Sequence, residues 1–456
     1  MQPINRRRFL KTSATTTVGL TVSAPFVKKG FAKNSPNETI NIAVVGINGR
    51  GKSHYRSFAG IPNVKVATLC DIDERIFAES VADVEKVGGY RPKIETEYRR
   101  VLEDKNIDAV SIATPNHWHA LQTIWACQAG KDVYVEKPVS HTVVEGRRMV
   151  QAARKYNRVV QAGTQSRSSS TVRAAIKFAH DGGLGDVYMS KGLCFKPRGN
   201  IGYTKDSPIP KGVNWDAFLG PAPYRPFNQN RYLYKWHWFW DTGNTDLGNQ
   251  GIHQMDIARW GLNKRVYPVR IHGIGNYFVW KSDQEAPNIQ HLVFEYEDGA
   301  ILQFEVRALA TNDEGGTRIG NILFGSKGWM SSDDGYRVHY GEVKIQPSGY
   351  SQYSEELGQN FSSGESRKKV PIMGSEGGSH WQNFIDCVRS RRWQDLNGDI
   401  QEGHMSSALC HLGNIACRLK RTLSFNPHAE KFVNDDEANS YLTKEYRAPY
   451  SLPDEV

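Results

Sequence analysis

The chain has 456 residues, of which 39% are hydrophobic and 23% charged, a composition typical of a globular protein long enough for two domains. Its formal charge is +10, but six basic residues lie in the first 32 positions, which contain no acid, so the remainder carries +4. No basic stripe interleaved with aromatic residues follows. The sequence therefore predicts no nucleic-acid partner.

The first 32 residues have the composition of an export signal. Arginines at positions 6–8 precede Phe9, and a mildly apolar, Thr-rich stretch then runs to Phe26. This pattern resembles a twin-arginine signal, and a disordered basic tail is the alternative. The stretch is too short to span a bilayer, and Gly30 and Ala32 suit a cleavage site. We expect a periplasmic protein, exported folded, with its scattered cysteines reduced and buried.

Residues 40–71 predict the first β-α-β unit of a dinucleotide-binding sheet. The apolar run 40–45 predicts a strand, and a glycine-rich turn leads from it into a helix. The helix start offers N–H groups and a favourable dipole to a pyrophosphate. Asn48 stands where the fingerprint has its second glycine, and Asn tolerates left-handed backbone angles. The candidate turn residues are Gly46, Asn48, Gly49, Arg50 and Gly51.

Asp71 follows the second apolar run, Val64–Leu69. An acid at that strand end accepts hydrogen bonds from ribose hydroxyls and repels a 2′-phosphate, which favours NAD over NADP. A helix N-cap is the alternative role for Asp71.

Three further segments leave apolar strands toward the same rim of the sheet, where ligands bind in open α/β folds. They begin at Thr114, Glu136 and Gly163. His117 and His119 face different sides of a helix without a carboxylate or Cys partner, so we predict no metal site. The candidate cofactor-binding residues in these segments are Thr114, Pro115, Asn116, His119, Glu136, Lys137 and Gln165.

The Glu-Lys-Pro tripeptide at 136–138, together with Thr-Pro-Asn at 114–116 and His119, resembles the hallmark of the glucose-fructose oxidoreductase / inositol dehydrogenase (Gfo/Idh/MocA) family. The resemblance covers residues 40 to about 425. It implies that Lys137 contacts the nicotinamide ribose and the substrate and takes part in proton transfer. It also implies a homo-oligomer formed through the exposed face of a second sheet.

The predicted fold class is α/β. It comprises a Rossmann doubly wound parallel sheet and a C-terminal α+β domain with an open, mostly antiparallel sheet. Alternating residues and hairpin turns predict strands in the second part of the chain. These strands are Val187–Phe195, Pro268–Trp280, Ile289–Tyr296, Ala300–Arg307 and Asn321–Gly325. The predicted domains are a signal peptide at 1–32, an NAD-binding domain at 40–164 and a substrate and oligomerisation domain at 165–456.

Residues 248–256 resemble the family's second motif, D-x-G-x-H-x-x-D. His253 and Asp256 match it, and both lie on one face of a helix expected to begin near Gly251. His253 suits a general acid or base on a sugar hydroxyl, with a buried core histidine as the alternative. Asn249 stands where the family has Asp; it carries no charge and can only orient the substrate.

The aromatic run at 232–240 suits either stacking on sugar faces or core packing between domains. The predicted substrate contacts are Arg167, Trp236, Trp240 and Asp256. Residues 345–379 have the composition of a mobile segment. Residues 380–391 and 403–421 predict helices that close the second domain. The tail from Asn434 could wrap around a neighbouring subunit.

We therefore expect hydride transfer between a carbon of a sugar or glycoside and a tightly bound nicotinamide, with Lys137, His253 and Asn249 as the catalytic residues. The alternative is a redox-neutral, NAD-dependent glycoside hydrolase or lyase acting through a transient 3-keto sugar. Relatives of that kind usually lack an intact Glu-Lys-Pro. A third possibility is a non-catalytic sugar-binding protein.

Overall fold

The computed structural model of the protein describes residues 39–332, 336–340, 367–369 and 378–456. The predicted signal at 1–32 and most of the predicted mobile segment at 345–379 lie outside the described residues. The described chain from Ile40 to Val456 forms one compact unit.

The first sheet is parallel, with strand order β3-β2-β1-β4-β5-β6. This is the order of a doubly wound dinucleotide-binding sheet, in which the order of the strands reverses between β1 and β4 while their direction stays the same. The apolar runs that predicted strands are buried on both faces, as a sheet covered by helices requires. Its strands are β1 Ile40–Val45, β2 Val64–Cys70, β3 Lys93–Glu95, β4 Ala109–Ile112, β5 Asp132–Val135 and β6 Val160–Ala162.

Helices connect these strands and lead out of the sheet. They are α1 Arg50–Ala59, α2 Phe77–Gly88, α3 Tyr98–Glu103, α4 Asn116–Gln128, α5 Val143–Lys155 and α6 Ser170–His180, with short 3-10 turns at Glu74–Ile76 and Gln165–Ser168. Helix α5 begins with a capping box, in which Thr142 and Glu145 bond each other's backbone N–H groups.

The second sheet has ten strands among the described residues, in the order β14-β13-β12-β11-β7-β10-β9-β8-β15-β16. It is antiparallel except where β7 pairs with β10. Its strands are β7 Val187–Cys194, β8 Arg270–Asn276, β9 Ile289–Glu295, β10 Ile301–Arg307, β11 Ile319–Gly325, β12 Gly328–Ser331, β13 Arg337–Tyr340, β14 Arg367–Lys369, β15 Leu423–Asn426 and β16 Lys431–Phe432.

One face of this sheet packs on helices in a large apolar core, and the fold class predicted from the sequence is confirmed. The remaining helices are α7 Trp215–Leu219, α8 Ile252–Gly261, α9 His380–Ser390, α10 Ile400–Leu419 and α11 Asp436–Ser440. Short 3-10 turns lie at Gln229–Arg231, Leu233–Trp238 and Trp393–Asp395, and a π-helical turn at Leu247–Gly251. The predicted strand Pro268–Trp280 is shorter than expected and ends at Asn276.

Helix α9 packs on the first sheet, although the sequence placed it on the second domain. Phe384 and Ile385 are buried with β1, β2 and Tyr134 in one apolar cluster. The C-terminal tail also returns to the first sheet, where Leu452 and Val456 pack against its core. The six cysteines are all buried and unpaired, as predicted. No helix in the described ranges has the length and apolar character needed to cross a membrane.

Candidate active site

A cleft of about 520 Å³ runs along the carboxyl ends of β1, β2, β4 and β5. The turn after β1 forms its floor. Gly46 has φ +78°, and a Cβ there would lie 2.8 Å from the backbone of Ala113 and Thr114. A Cβ on Gly51 would lie 1.9 Å from the Gly46 carbonyl oxygen. Both positions therefore require glycine if β1, β4 and α1 are to pack this closely.

Gly49, rather than Asn48, adopts the left-handed conformation in this turn, with φ +50°. The Asn48 side chain instead accepts a hydrogen bond of 2.8 Å from the Gly49 N–H. The substitution in the fingerprint is thus accommodated by moving the left-handed residue one place along the chain. Gly49 is followed at once by the first residue of α1, so the helix N-terminus faces the cleft.

Asp71 lies at the carboxyl end of β2 and lines the cleft. Its Oδ2 accepts a bond of 2.8 Å from the Ile47 N–H and its Oδ1 one of 3.0 Å from the Asp73 N–H. Burial raises the pKa of Asp71 to about 6, against the effect of these backbone bonds. The carboxylate therefore braces the glycine turn and is also available to a ribose. Helix capping, the alternative role, is performed by Asp73.

Glu136 is the buried centre of the Glu-Lys-Pro motif. Its Oε1 accepts from Arg50 Nε at 2.8 Å and Gln165 Nε2 at 3.1 Å, and lies 3.1 Å from His54 Nε2. Burial alone would raise the pKa of Glu136, but His54 and the charge of Arg50 hold it well below its usual value. A charged carboxylate is thereby fixed beneath the loop that carries Lys137.

Lys137 and His253 line the same cleft. Lys137 follows β5 of the first sheet, whereas His253 lies on α8, which packs on the second sheet. Lys137 Nζ donates to the backbone carbonyl of Asn249 at 2.8 Å. Burial lowers the pKa of Lys137. Burial and the nearby Lys137 charge lower the pKa of His253 to about 4. None of the described residues hydrogen-bonds the His253 imidazole, so its ring is available to a ligand in the cleft.

Asn249 and part of the aromatic run also line the cleft. Asn249 Nδ2 donates to the Tyr234 hydroxyl at 3.0 Å. Tyr234 and Trp236 line the cleft, whereas Trp238 and Phe239 are buried in a small apolar core. The run thus divides between lining the cleft and core packing.

Most of the predicted site residues meet around this cleft. The predicted residues that line it are Gly46, Asn48, Gly49, Arg50, Asp71, Thr114, Pro115, Asn116, His119, Glu136, Lys137, Trp236, Asn249 and His253. Gly51 and Gln165 lie just behind it, the first under the turn and the second bonded to Glu136 and Tyr134. Thr114 does not cap α4; its hydroxyl donates to Gln122 instead.

Arg167, Asp256 and Trp240 do not line the cleft, contrary to the sequence prediction. Arg167 and Asp256 form a buried bidentate ion pair, with N–O distances of 2.7 and 2.8 Å. Ser406 and Glu402 complete their hydrogen bonding, so the pair joins the 3-10 turn after β6 to α8 and α10. Trp240 packs under the Arg418 guanidinium, 4.7 Å from the ring centre.

Several residues in or beside the cleft were not predicted. Asp246 is fully buried beside the site, where Arg198 binds it through both carboxylate oxygens. Trp118, Trp125 and Tyr450 form an aromatic wall at the end of the cleft nearest β3. Trp118 and Trp125 lie seven residues apart on α4 and so share a face, a spacing that could have indicated a site. No local signal connects them to Tyr450.

Two family models match this chain. The first, described as an oxidoreductase family with an NAD-binding Rossmann fold, covers residues 40–164. The second, the C-terminal α/β domain of the same family, covers residues 193–314 and 362–452. The chain belongs to the Gfo/Idh/MocA oxidoreductase family. The predictions of this family and of an NAD cofactor are confirmed.

Individual relatives are more distant. A glycosyl hydrolase family 109 protein of Shewanella pealeana is 30% identical over 168 residues, 33% of this chain and 37% of that protein. The chain spans between 37% and 52% of the length of this and two further curated relatives. The WlbA dehydrogenase of Bordetella pertussis, solved with NADH and UDP-GlcNAcA, has a TM-score of 0.60 at 20% identity, covering 86% of this chain and 99% of that one.

A levoglucosan dehydrogenase solved with NADH has the same TM-score of 0.60 at 16% identity, covering 85% of this chain and 99% of that one. At these identities the likeness shows the shared fold.

The described residues fit a dinucleotide. Gly49 lines the cleft without a side chain, the start of α1 supplies N–H groups to a pyrophosphate, and Asp71 supplies a ribose acceptor. The His119 ring lies between the two rim segments, with Nδ1 2.8 Å from the Pro138 carbonyl oxygen and Nε2 2.8 Å from the Thr114 carbonyl oxygen; the neutral ring donates to one of them. No group of His, Cys, Asp and Glu side chains within the described ranges is arranged to hold a metal ion.

Proposed function

We propose that this protein is an NAD-dependent oxidoreductase that transfers hydride between a hydroxyl-bearing carbon of a sugar or glycoside and the nicotinamide. The observation that carries the proposal is that Lys137 and His253 line one cleft with the glycine turn and Asp71. The relatives solved with NADH, one with a sugar nucleotide and one named for levoglucosan, support a carbohydrate substrate.

The bound nicotinamide would supply a hydride acceptor or donor. The chain's own groups then have to move the hydroxyl proton and hold the sugar. Lys137 is the proton acceptor in this proposal, because burial lowers its pKa and so increases the fraction of free amine near neutral pH.

His253 is uncharged at neutral pH, because its pKa is about 4. A neutral imidazole can accept or donate a hydrogen bond, so it can orient the reacting hydroxyl toward Lys137. Asn249 and Tyr234 offer an amide and a hydroxyl to neighbouring sugar hydroxyls, and the Trp236 ring offers an apolar face.

The second candidate is a redox-neutral glycoside hydrolase or lyase that uses the same cofactor through a transient 3-keto sugar. The names of the curated relatives, glycosyl hydrolase family 109 proteins and an α-N-acetylgalactosaminidase, favour it. In that reaction the hydride removed from the sugar returns to the product, so no net oxidation occurs.

A screen of glycosides with mass detection separates the two candidates. The dehydrogenase converts a glycoside into a product lighter by two hydrogen atoms and reduces one NAD for each. The hydrolase releases the aglycone and a sugar of unchanged oxidation state. If the NAD-loaded protein converts no sugar or glycoside in the panel, both candidates fail.

We further propose that the protein is exported folded by the twin-arginine route. The arginines at 6–8 followed by Phe9 and a mildly apolar stretch support this. Folded export would let the enzyme leave the cytoplasm with its cofactor bound. Replacement of Arg7 and Arg8 by lysine should retain the protein in the cytoplasm of a native host; continued export would contradict the proposal.

We also propose a homo-oligomer formed through the open face of the second sheet. Helices α8 and α10 cover one face, while Ile274 on the other is 70% exposed. Ion pairs such as Arg270–Glu295 lie on the same face and could specify a partner of the same sequence. Light scattering on the purified protein tests this, and a monomer at all concentrations would contradict it.

A further inference from the structure

The C-terminal tail reaches the dinucleotide cleft at Tyr450 and is anchored at three places. Near its start, Lys444 and Tyr446 both bind Glu145, the buried cap residue of α5. Lys444 Nζ lies 3.0 Å from a carboxylate oxygen, and the Tyr446 hydroxyl donates to the same oxygen at 2.5 Å. Since Glu145 is fully buried, these bonds tie the tail to the edge of the first domain.

Arg447 makes the second attachment. Its Nε donates to the Gly220 carbonyl and one Nη to the Asp216 carbonyl, both at 2.9 Å, and the other Nη binds the Asp216 carboxylate at 2.5 Å. Its N–H donates to the Pro221 carbonyl at 3.0 Å. The tail is thereby joined to α7 and to the turn that follows it. Two residues of α7, Ala217 and Phe218, also line the cleft.

Beyond this point the tail reaches the first domain again. Leu452 and Val456 pack against the core of the first sheet. Between the second and third attachments lies Tyr450, which lines the cleft. Its ring makes an edge contact with Trp118 at 5.2 Å and stacks beside Trp125 at 6.4 Å.

This aromatic wall lies at the adenosine end of the cleft. The Asp71 N–H bonds the Glu95 carbonyl of β3, and the next residues, Thr96 to Arg99, line the cleft. The Tyr98 hydroxyl in turn bonds the carbonyl of Gln122, which lies between the two tryptophans on α4. Since an acid after β2 marks the adenosine ribose in such sheets, the surface beyond Asp71 is where the purine would lie.

We propose that the C-terminal tail is part of the cofactor site: Tyr450, with Trp118 and Trp125, binds the adenine of NAD and slows its release. Aromatic rings bind a purine by stacking without regard to its hydrogen-bonding edge. The three attachments hold Tyr450 in place before the cofactor arrives, so little side-chain entropy is lost on binding.

The inference rests on NAD binding in this cleft and not on the substrate proposed above. The test measures release of NAD from the loaded, full-length protein by exchange with isotopically labelled NAD. Tyr450→Ala should release NAD about tenfold faster than the wild type, the size expected when one stacking ring is removed. Tyr450→Phe keeps the ring and should match the wild type. Tyr224→Ala removes an exposed tyrosine outside the cleft and should also match it.

A second measurement separates loss of stacking from general loosening of the tail. The binding constants of AMP and of nicotinamide mononucleotide are measured on each cofactor-stripped variant. Tyr450→Ala should weaken AMP about tenfold and leave nicotinamide mononucleotide unchanged. Equal weakening of both, or NAD release as slow as in the wild type, would overturn the proposal. Failure of the wild type to convert any sugar would overturn the proposed function and leave this one standing.

Discussion

Lys137 Nζ donates a hydrogen bond of 2.8 Å to the backbone carbonyl of Asn249, and this bond joins the Glu-Lys-Pro loop of the first sheet to the π-helical turn before α8. The bond positions Lys137 without pairing it with a carboxylate. Burial can therefore lower its pKa, with Glu136 opposing this from behind. A lysine held in this way is suited to accept a proton.

Replacement of Lys137 tests its role as the proton acceptor. We expect Lys137→Met to lower kcat by about 100- to 10,000-fold, the usual contribution of general acid–base catalysis. NAD content should stay at the wild-type value, because the glycine turn and Asp71 are untouched. Steady-state kinetics on an active sugar, with NAD quantified after denaturation, measure both. An unchanged kcat with full NAD content would remove Lys137 from the mechanism.

Asn249→Asp should move the pH dependence of the reaction. A carboxylate beside Lys137 favours its charged form and raises its pKa. Because the base must be uncharged, the acidic limb of kcat/KM against pH should shift to higher pH by about one unit. Asn249→Ala removes the bond to Tyr234 without adding charge. The acidic limb of kcat/KM for this variant should therefore lie at the same pH as that of the wild type. If the acidic limb of kcat/KM lies at the same pH in the wild type and in both variants, Lys137 is not the titrating base.

Asp71 should set the preference for NAD over NADP. Asp71→Asn retains an acceptor oxygen for the Ile47 N–H but loses the charge that repels a 2′-phosphate. We expect the ratio of the Kd for NADP to that for NAD to fall about tenfold or more. The exposed acid Glu79 gives the control, since Glu79→Gln should leave the ratio unchanged.

The same preference should depend on pH in the wild type. Since the pKa of Asp71 is about 6, the group is charged above that pH and neutral below it. Discrimination against NADP should therefore be present at pH 8 and weaken at pH 5. If the ratio of the Kd for NADP to that for NAD is the same at pH 5 and pH 8, a group other than Asp71 discriminates between the two cofactors.

Buried histidines should make the protein sensitive to acid. Burial lowers the pKa of His411 to about 3, against about 6.5 in an unfolded chain. The unfolded state then binds the proton first, so stability is present above pH 6.5 and is lost as pH falls toward the folded value. Burial lowers the pKa of eight other histidines in the same direction, namely His54, His117, His119, His141, His237, His253, His380 and His404.

We expect His411→Gln to reduce the slope of unfolding free energy against pH between 4 and 6.5, by up to about 1.4 kcal/mol per pH unit. The variant can be less stable at pH 8 without affecting this comparison, because only the slope is read. His428 is exposed, so His428→Gln should keep the wild-type slope. Denaturant unfolding at several pH values provides the measurement, and parallel curves for all three proteins would contradict the explanation.

The fold could be predicted because its determinants are local. A strand, a glycine turn and an acid lie within residues 40–71, and Gly46 and Gly51 are required by contacts within or next to that unit. The cofactor-lining segments were likewise predictable, since the carboxyl ends of parallel strands meet at one edge. The backbone conformation of Asn48 was harder to predict, because the neighbouring Gly49 adopts the positive φ in its place.

The misassigned residues depend on long-range packing. Arg167 and Asp256 are 89 positions apart, and a charged residue in a motif looks the same whether it meets a sugar or a buried partner. Helix α9 carries an apolar face that would fit either sheet. Tyr450 reaches Trp118 only because the tail is tied down by Glu145 and Asp216, and no periodicity in the sequence records those bonds.

The central claim is that a sugar in this cleft loses hydride to NAD while Lys137 takes the hydroxyl proton. The most direct test is a single-turnover experiment, in which NAD-loaded protein is mixed with an active sugar and the absorbance of reduced nicotinamide is followed. We expect rapid reduction of the bound NAD in the wild type, and binding of sugar without reduction in Lys137→Met. Equal reduction rates in the two proteins, or a wild type that binds no NAD, would contradict it.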